Sequence, residues 1–381
     1  MEGVVVLDLS RALAGPHAAQ MLGDLGAKVI KVEHPGGGDD SRSWGPPFVG
    51  ENGDISTYFL SCNRNKESIT VDLKSESGVK LIERLIPHCD VLIENFRTGV
   101  LDRLGFPVER LHALNPRLVI LSISGFGHDG PEGGRPGYDQ IAQGEAGLMS
   151  LTGPSPEEPY RVGASIADLL AGLHGAYGVA AALHERHRTG RGRVVRTSLL
   201  ASVVGVHAYH GTAWTVAGQV PKASGNHHAS ITPYGAFHCA DGMIQIAVAT
   251  DAQWRKVAAI LGIDNPAYAV NSARFAHRDE LIDEMEKVLR VHDRAHWLER
   301  LTAAGVPAGA IRSVDEVYGW DQVASQGLIV EVDHPALGPI RLPGPPLRFD
   351  GMPARDHLAP PELGADNAEV LAWLEARERE A

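Results

Sequence analysis

The chain has 381 residues, 44% hydrophobic and 22% charged, with a formal net charge of -12 at pH 7. That length suits two domains or one large one with a substantial core, and the acidic balance excludes a general nucleic-acid binder, which needs a basic surface. Cys62, Cys89 and Cys239 show neither C-x-x-C nor metal spacing, the N-terminus enters VVVLDLS without a signal-peptide pattern, and no apolar run approaches membrane-spanning length. The expectation is a soluble cytoplasmic protein with no metal, no nucleic acid and no membrane partner.

Val4 to Leu9 reads as a buried strand, followed by a loop and a helix with Pro16 in its first turn that runs to about Leu25. Strands follow at Lys28 to Val32 and Ile69 to Val71, then a helix from about Ser75 to Pro87, then strands at Val91 to Glu94 and Leu118 to Ile123. A long helix covers about Ile166 to Arg188; after the basic turn TGRGR come a strand at Val194 to Ser198 and an apolar helix to about Gly218. Strands alternating with helices predict an α/β fold with a doubly wound parallel sheet.

Residues 219–232, QVPKASGNHHASIT, are polar and aperiodic and read as a linker. Tyr234 to Phe237 and Met243 to Val248 form a predicted hairpin, followed by helices near 251–261, 279–292 and 294–304, a smaller α+β unit. From Leu328 the chain returns to short strands, the proline-rich LPGPPLRF and a charged helix from about Asn367. The predicted organisation is a large domain over 1–218, a linker over 219–232, a small domain over 233–325 and a return to the large domain over 326–381.

Several local patterns have two readings. Glu33 ends the second strand where a dinucleotide fold places its ribose acid, but Gly15 stands alone where G-x-G-x-x-G is required. HPGGGDD at 34–40 offers backbone N–H groups to an anion, yet two aspartates follow that would repel it. His227 and His228 lack the i, i+4 spacing of a metal pair and read as solvated linker histidines. No G-x-S-x-G elbow occurs.

The stretch RVGASIADLLAG at 161–172 is more informative. Ser165 and Asp168 have capping-box spacing, and an aspartate there also faces the positive end of the helix dipole. Asp168, Gly172 and Gly175 are spaced i, i+4, i+7 and share one face. Two glycines on that face imply close approach of a ligand or of another backbone, and a carboxylate beside them would be partly desolvated, as a carboxylate nucleophile requires.

Taken in order, LDLSRALAGPHAAQMLGDLGAKVIKVEHPGGGDDSRSWGPPF, NRNKESITVDLKSESG, DVLIENFRTGVLDRLG, LVILSISGFGHDGP, RPGYDQIAQGEAGLM and RVGASIADLLAG resemble the successive signatures of the class III CoA-transferases, the family of formyl-CoA transferase and carnitine CoA-transferase. The likeness continues through SITPYGAFHCADG and the terminal PGPP. It implies a Rossmann-like large domain built from both chain ends, a small domain, and two subunits threaded through each other as interlocked rings. It also implies acyl-CoA and a carboxylic acid as substrates, with no ATP and no metal, and Asp168 as the nucleophile that carries CoA as an aspartyl thioester.

The CoA contacts the resemblance implies are Leu13 and Ala14 after the first strand, Val71, Asp72, Leu73 and Lys74 of VDLK, Asn95, Phe96 and Arg97 of NFR, Arg103, and Pro136, Gly137, Tyr138 and Asp139 of PGYD. Pro35 stands near the place of an arginine that contacts the nucleotide in formyl-CoA transferase, and GNHHAS at 225–230 stands near the place of that enzyme's glycine run. GDDSRSWGPPF and ITPYGAF look closer to members handling succinate, glutarate or hydroxymethylglutarate. The 2-methylacyl-CoA racemases share the scaffold but carry a histidine where this chain has Tyr138, too weak a base near neutral pH. A CoA-binding protein without catalysis is the third reading, and the presence of Asp168 counts against it.

Overall fold

A computed structural model describes residues 1–351 and 355–380. The chain divides into two compact units: Met1–Leu148, Arg161–Gln219 and Asp321–Ala381 form one, and Met149–Tyr160 with Val220–Trp320 the other. Three boundaries differ from those read in the sequence: the second unit takes up the stretch read as a linker, starting at Val220 rather than 233. Met149–Tyr160 groups with the second unit, where the Gly225 N–H donates to the Gly153 carbonyl at 3.0 Å, and that unit ends at Trp320 rather than 325.

The first unit is built on six parallel strands: β1 (Val5–Asp8), β2 (Lys28–Glu33), β3 (Lys66–Thr70), β4 (Val91–Glu94), β5 (Val119–Ser124) and β6 (Val194–Ser198). Their order is β3-β2-β1-β4-β5-β6, with every pairing parallel. From β1 the chain winds outward to β2 and β3, then returns to start β4 on the other side. The crevice beyond the C-terminal ends of β1 and β4 is therefore the topological switch point, where open α/β sheets place their ligands.

Both faces of the sheet are covered, so the strands are near-continuous apolar runs. One face sends Val6, Val29, Ile93, Val119 and Leu121 against α1 (Ala14–Asp24) and α4 (Ile166–Thr189). The other sends Leu7, Ile30, Leu92 and Ile120 against α2 (Glu76–Leu85), Phe106 and Leu111, and against Val370 and Leu374 of the terminal helix α10 (Asn367–Glu380). The alternation along each strand is the period-2 pattern of a pleated strand.

Helix α4 is long and apolar enough, by length and composition, to cross a membrane, which corrects the expectation that no run of that kind exists. Its buried residues, among them Ala167, Ala171, Gly175, Val179, Ala182 and Arg186, recur at helical spacing, the stripe of a core helix. The glycines on that face serve packing. A Cβ at Gly172 would lie 2.7 Å from the Ala14 carbonyl oxygen and 3.1 Å from the His17 ring, and one at Gly175 would lie 2.8 Å from Leu121. Of the two close approaches expected there, the structure holds the helix-packing one.

The predicted apolar helix to Gly218 is two helices, α5 (Leu199–Gly205) and α6 (Ala208–Ala217). The break falls at His207, whose Nε2 lies 2.7 Å from the Ala146 carbonyl oxygen, a tertiary hydrogen bond that no local pattern signals. In the second unit β7 (Tyr234–Cys239) and β8 (Gly242–Ala247) form the expected hairpin, and β9 (Ala308–Ala310) adds a third antiparallel strand. Helices α7 (Asp251–Leu261), α8 (Arg278–Leu289) and α9 (Arg294–Ala303) close a core of Phe237, Ile244, Trp254, Met285 and Trp297.

His227 and His228 are not solvated linker residues. The His227 ring meets Phe237 edge-on at 5.4 Å and the His228 ring lies 5.1 Å from Tyr234; burial lowers the His227 pKa.

Replacing Gly172 by alanine should lower the thermal midpoint, with a cost of about 1–3 kcal/mol for the overpacking of α1 against α4. An unchanged unfolding transition would show that the two helices do not cross as closely as described.

Candidate active site

Asp168 stands at the third position of α4, in its first turn. Because α4 joins β5 to β6, its N-terminus lies at the C-terminal edge of the parallel sheet. The capping box expected between Ser165 and Asp168 is absent: the Ser165 side chain makes no cap hydrogen bond. The cap comes from α3 (Asp139–Glu145). Asp139 Oδ1 accepts the Ala167 N–H at 2.8 Å and its Oδ2 accepts a hydrogen bond from Gln143 Nε2 at 2.8 Å. Gln143 Oε1 in turn accepts the Val162 N–H at 2.8 Å, so one buried aspartate and one buried glutamine hold the chain entering α4.

Two carboxylates thus meet one helix end in different states. Asp139 spends both oxygens on hydrogen bonds, whereas among the described residues no hydrogen bond reaches the Asp168 carboxylate. Burial pushes the Asp168 carboxyl up to about 7, and the negative charge of Asp139 adds to the shift. A carboxylate near neutrality, unpaired and poorly solvated, is a competent nucleophile. Tyr58 lies near enough to feel its charge: the phenol is pushed up to about 12, by burial first and the Asp168 charge second. Trp44 meets the Tyr58 ring edge-on at 5.0 Å.

The residues expected to touch CoA all follow the C-terminal ends of parallel strands. Leu13 and Ala14 follow β1; both are buried. Leu13 holds the N-cap position of α1 without a side-chain cap, and the first turn has no acid. Val71, Asp72, Leu73 and Lys74 follow β3. Val71 is buried and donates its N–H to the Glu33 carbonyl at 2.8 Å. Asp72 Oδ1 accepts the Lys74 N–H at 2.9 Å, shaping the turn into α2, while Leu73 packs on the core.

Asn95, Phe96, Arg97 and Arg103 follow β4. Asn95 grips Arg11 by both backbone groups, accepting its N–H at 2.8 Å and donating to its carbonyl at 2.7 Å. Lys74, Arg97 and Arg103 are exposed, and among the described residues no hydrogen bond or ion pair engages their side chains. Pro136, Gly137, Tyr138 and Asp139 follow β5; Tyr138 is 69% exposed and Asp139 8%. Asp139 is thereby a capping residue of α4 as well as a member of the implied contact segment.

Two other sequence signals take structural roles. Glu33 accepts hydrogen bonds from Arg42 at 2.7 Å, Ser68 at 2.6 Å and the Asp39 N–H at 2.9 Å, so a ribose would find both oxygens occupied. Asp39, of HPGGGDD, pairs with Lys31 at 2.8 Å with neither side chain exposed. Sequence reasoning assigned no role to Tyr58, which sits in no motif, or to Gln143 of the RPGYDQIAQGEAGLM segment, and missed a cleft of about 170 Å³ lined by Glu94, Ser122, His128 and Arg196 as well as Arg97.

Comparison with known proteins decides which family the chain belongs to. Residues 1–367 match the model of "CoA-transferase family III". The chain belongs to CoA-transferase family III. The resemblance read from its motifs is borne out. This family III chain is 40% identical over 375 residues to the succinyl-CoA:glutarate CoA-transferase of Homo sapiens, covering 97% of this chain and 85% of that one. It is 40% identical over 391 residues to the succinate–glutarate CoA-transferase of Agrobacterium fabrum, covering 100% and 97%. Its fold matches a crystal structure of a CaiB/BaiF family protein from Brucella suis with a TM-score of 0.89, at 39% identity and 98% coverage of each chain.

For this family III enzyme the raised pKa of Asp168 has a defined sign. The neutral carboxyl is favoured in the folded state, so stability from this group is complete below the ordinary value of 3.8 and is lost as pH rises through about 7. Asp168→Asn should therefore match the wild-type melting temperature at pH 4 and exceed it at pH 8, by roughly 2–4 kcal/mol in stability. An equal difference at both pH values would show that Asp168 ionises in the usual carboxylate range.

Proposed function

We propose that this protein moves CoA from a donor acyl-CoA to a short dicarboxylate, with Asp168 as the covalent carrier. The observation that carries the reading is the carboxylate itself: raised toward neutrality, free of hydrogen bonds, and set beside a fully bonded partner at the sheet edge where the implied CoA contacts gather.

The ionised Asp168 oxygen attacks the donor's thioester carbonyl, and the C–S bond breaks to release CoA thiolate and leave a mixed anhydride. The thiolate then attacks the aspartyl carbonyl, expelling the donor as a free carboxylate and leaving an aspartyl-CoA thioester. The acceptor carboxylate attacks that thioester, CoA thiolate leaves, and its return to the acceptor's carbonyl forms the new acyl-CoA and restores Asp168. One activated acyl group is exchanged for another at each stage, so the cycle closes without ATP. Tyr58, protonated at every working pH and close enough to feel the Asp168 charge, is a hydroxyl donor for the aspartyl carbonyl oxygen, on which charge develops when thiolate or acceptor attacks it. Dicarboxylate substrates are supported by the succinate and glutarate in the names of the two relatives at 40% identity.

A homodimer, interlocked as the family resemblance implies, accounts for an otherwise unexplained surface. No residue of α6 is buried, and Trp214 and Val216 on it are 57% and 81% exposed, as is Tyr177 of α4 at 74%. Large apolar side chains on a helix with no buried face mark an interaction surface. All three cysteines are free and buried, which suits the reducing cytoplasmic setting we assign.

With succinyl-CoA and glutarate, Asp168→Ala should lose transfer while retaining CoA binding. Wild-type enzyme treated with acyl-CoA and then hydroxylamine should gain a hydroxamate on the peptide holding Asp168. Normal turnover by a folded Asp168→Asn variant would remove the nucleophile assignment. Sedimentation at micromolar concentration should report a dimer, and a monomer there would remove the interlocked assembly.

A further inference from the structure

The loop between β1 and α1 makes its turn with side chains rather than with backbone pairing. The Ser10 N–H goes to Asp8 Oδ1 at 3.0 Å and its carbonyl accepts from Lys31 Nζ at 3.1 Å. The Arg11 N–H and carbonyl are both taken by Asn95. The Ala12 N–H goes to Asp39 Oδ1 at 3.0 Å, with Ala12 held at φ 69°, and its carbonyl faces the Cys62 thiol at 3.6 Å. Every polar backbone group of three consecutive residues is thus gripped from another part of the sheet edge. Such a loop has one shape, and its middle residue has one position.

That middle residue is Arg11, at the crevice between the ends of β1 and β4. Its guanidinium lies over the Phe96 ring, 5.3 Å from the centroid, and among the described residues it makes no hydrogen bond. Its one ion pair, with Asp40, is 3.8 Å long with side chains 48% and 62% exposed, a contact worth little in water. The other cations near the loop are spent: Lys31 on Asp39 and Lys66 on Asp8, all four side chains fully buried. Arg11 is the loop's uncommitted cation, seated over an aromatic ring with none of its N–H donors hydrogen-bonded among the described residues. A planar fork held in that way matches a phosphate, which it binds through two parallel hydrogen bonds.

We propose that Arg11 binds a phosphate of the CoA nucleotide at the β1–β4 switch point, with Phe96 and Asn95 as its positioning residues. The assignment rests on the CoA-transfer reading above, since it takes CoA as the ligand. The shared chemistry is a phosphate oxyanion, from either the pyrophosphate or the 3′-phosphate.

Calorimetric titration of wild type, Arg11→Gln and Arg11→Lys with CoA, 3′-dephospho-CoA and pantetheine tests it. Arg11→Gln should bind CoA about 10- to 100-fold more weakly and pantetheine as wild type does, with an unchanged melting temperature. Arg11→Lys, which keeps the charge but not the fork, should fall between. A loss that persists with 3′-dephospho-CoA assigns the pyrophosphate, and one that disappears assigns the 3′-phosphate; both support the proposal. Equal CoA affinity in wild type and Arg11→Gln overturns it while leaving the transferase reading intact. So does an equal loss for CoA and pantetheine, which would mark a general change in loop shape. Wild-type protein that binds no CoA at millimolar concentration overturns both.

Discussion

The ion pair between Lys31 and Asp39, 2.8 Å long and wholly out of solvent, is the contact on which the sheet's C-terminal edge depends. Burial alone would raise the Asp39 pKa and lower that of Lys31, but the partner's charge together with the hydrogen bonds on Asp39 and the Asp8 and Glu33 charges near Lys31 outweighs it, so the pair is ionised. Removing one partner of a buried pair leaves an uncompensated charge and costs about 3–5 kcal/mol. Here it would also release the Ser10 carbonyl and the Ala12 N–H, which the same two side chains hold. Asp8 and Lys66, 3.0 Å apart and equally buried, extend the arrangement, with Lys66 reaching the Pro16 carbonyl at 2.8 Å as α1 begins. Polar side chains do here what backbone ladders do elsewhere, and the loop they shape lies at the switch point of the fold.

The same edge treats its two carboxylates of α3 and α4 differently. Asp139 satisfies the start of α4 from a distance of 28 residues in sequence, which frees Asp168 from any capping duty. Asp168, half-buried, then carries a desolvation that no hydrogen bond among the described residues relieves. A group left in that condition is costly to the fold and useful to chemistry, a conflict expected at active sites. The glycine contacts of α4 with Ala14 and Leu121 matter for the same reason. They let α4 sit close to α1 and β5 and so fix where its first turn, with Asp168, meets the sheet edge.

The alternating strands and helices of the first unit were legible in the sequence because their signals are local: apolar runs of strand length, a proline in a first turn, a charged amphipathic α2. The strands Val91–Glu94 and Val194–Ser198 and the start of the terminal helix at Asn367 fall where the pattern placed them. Helix α4 was legible as a helix but not in its environment. Small and apolar residues surround it, so composition reads equally as core or membrane, and only the stripe facing α1 and β5 distinguishes them. The division into α5 and α6 was illegible because a histidine bonding to Ala146, 61 residues away, makes the break.

The sequence by itself determined the family, through ordered motifs spread over nearly the whole chain, and with it the expectation that the carboxylate at 168 is the nucleophile. Motif spacing also brought Leu13, Val71, Asn95 and Asp139 into one group, since each follows a strand of a parallel sheet. Only the tertiary structure decided what each residue does there. Ser165 has the spacing of a cap, yet Asp139 makes the cap; Glu33 has the place of a ribose acid, yet Arg42 and Ser68 occupy it. Arg11 stood in no reading, because its exposure to solvent and its seat on Phe96 depend on β1 and β4 lying side by side. Residue type sets which hydrogen bonds a side chain is able to make. The partners come from segments tens of residues away, and their distances exist only once the sheet has closed.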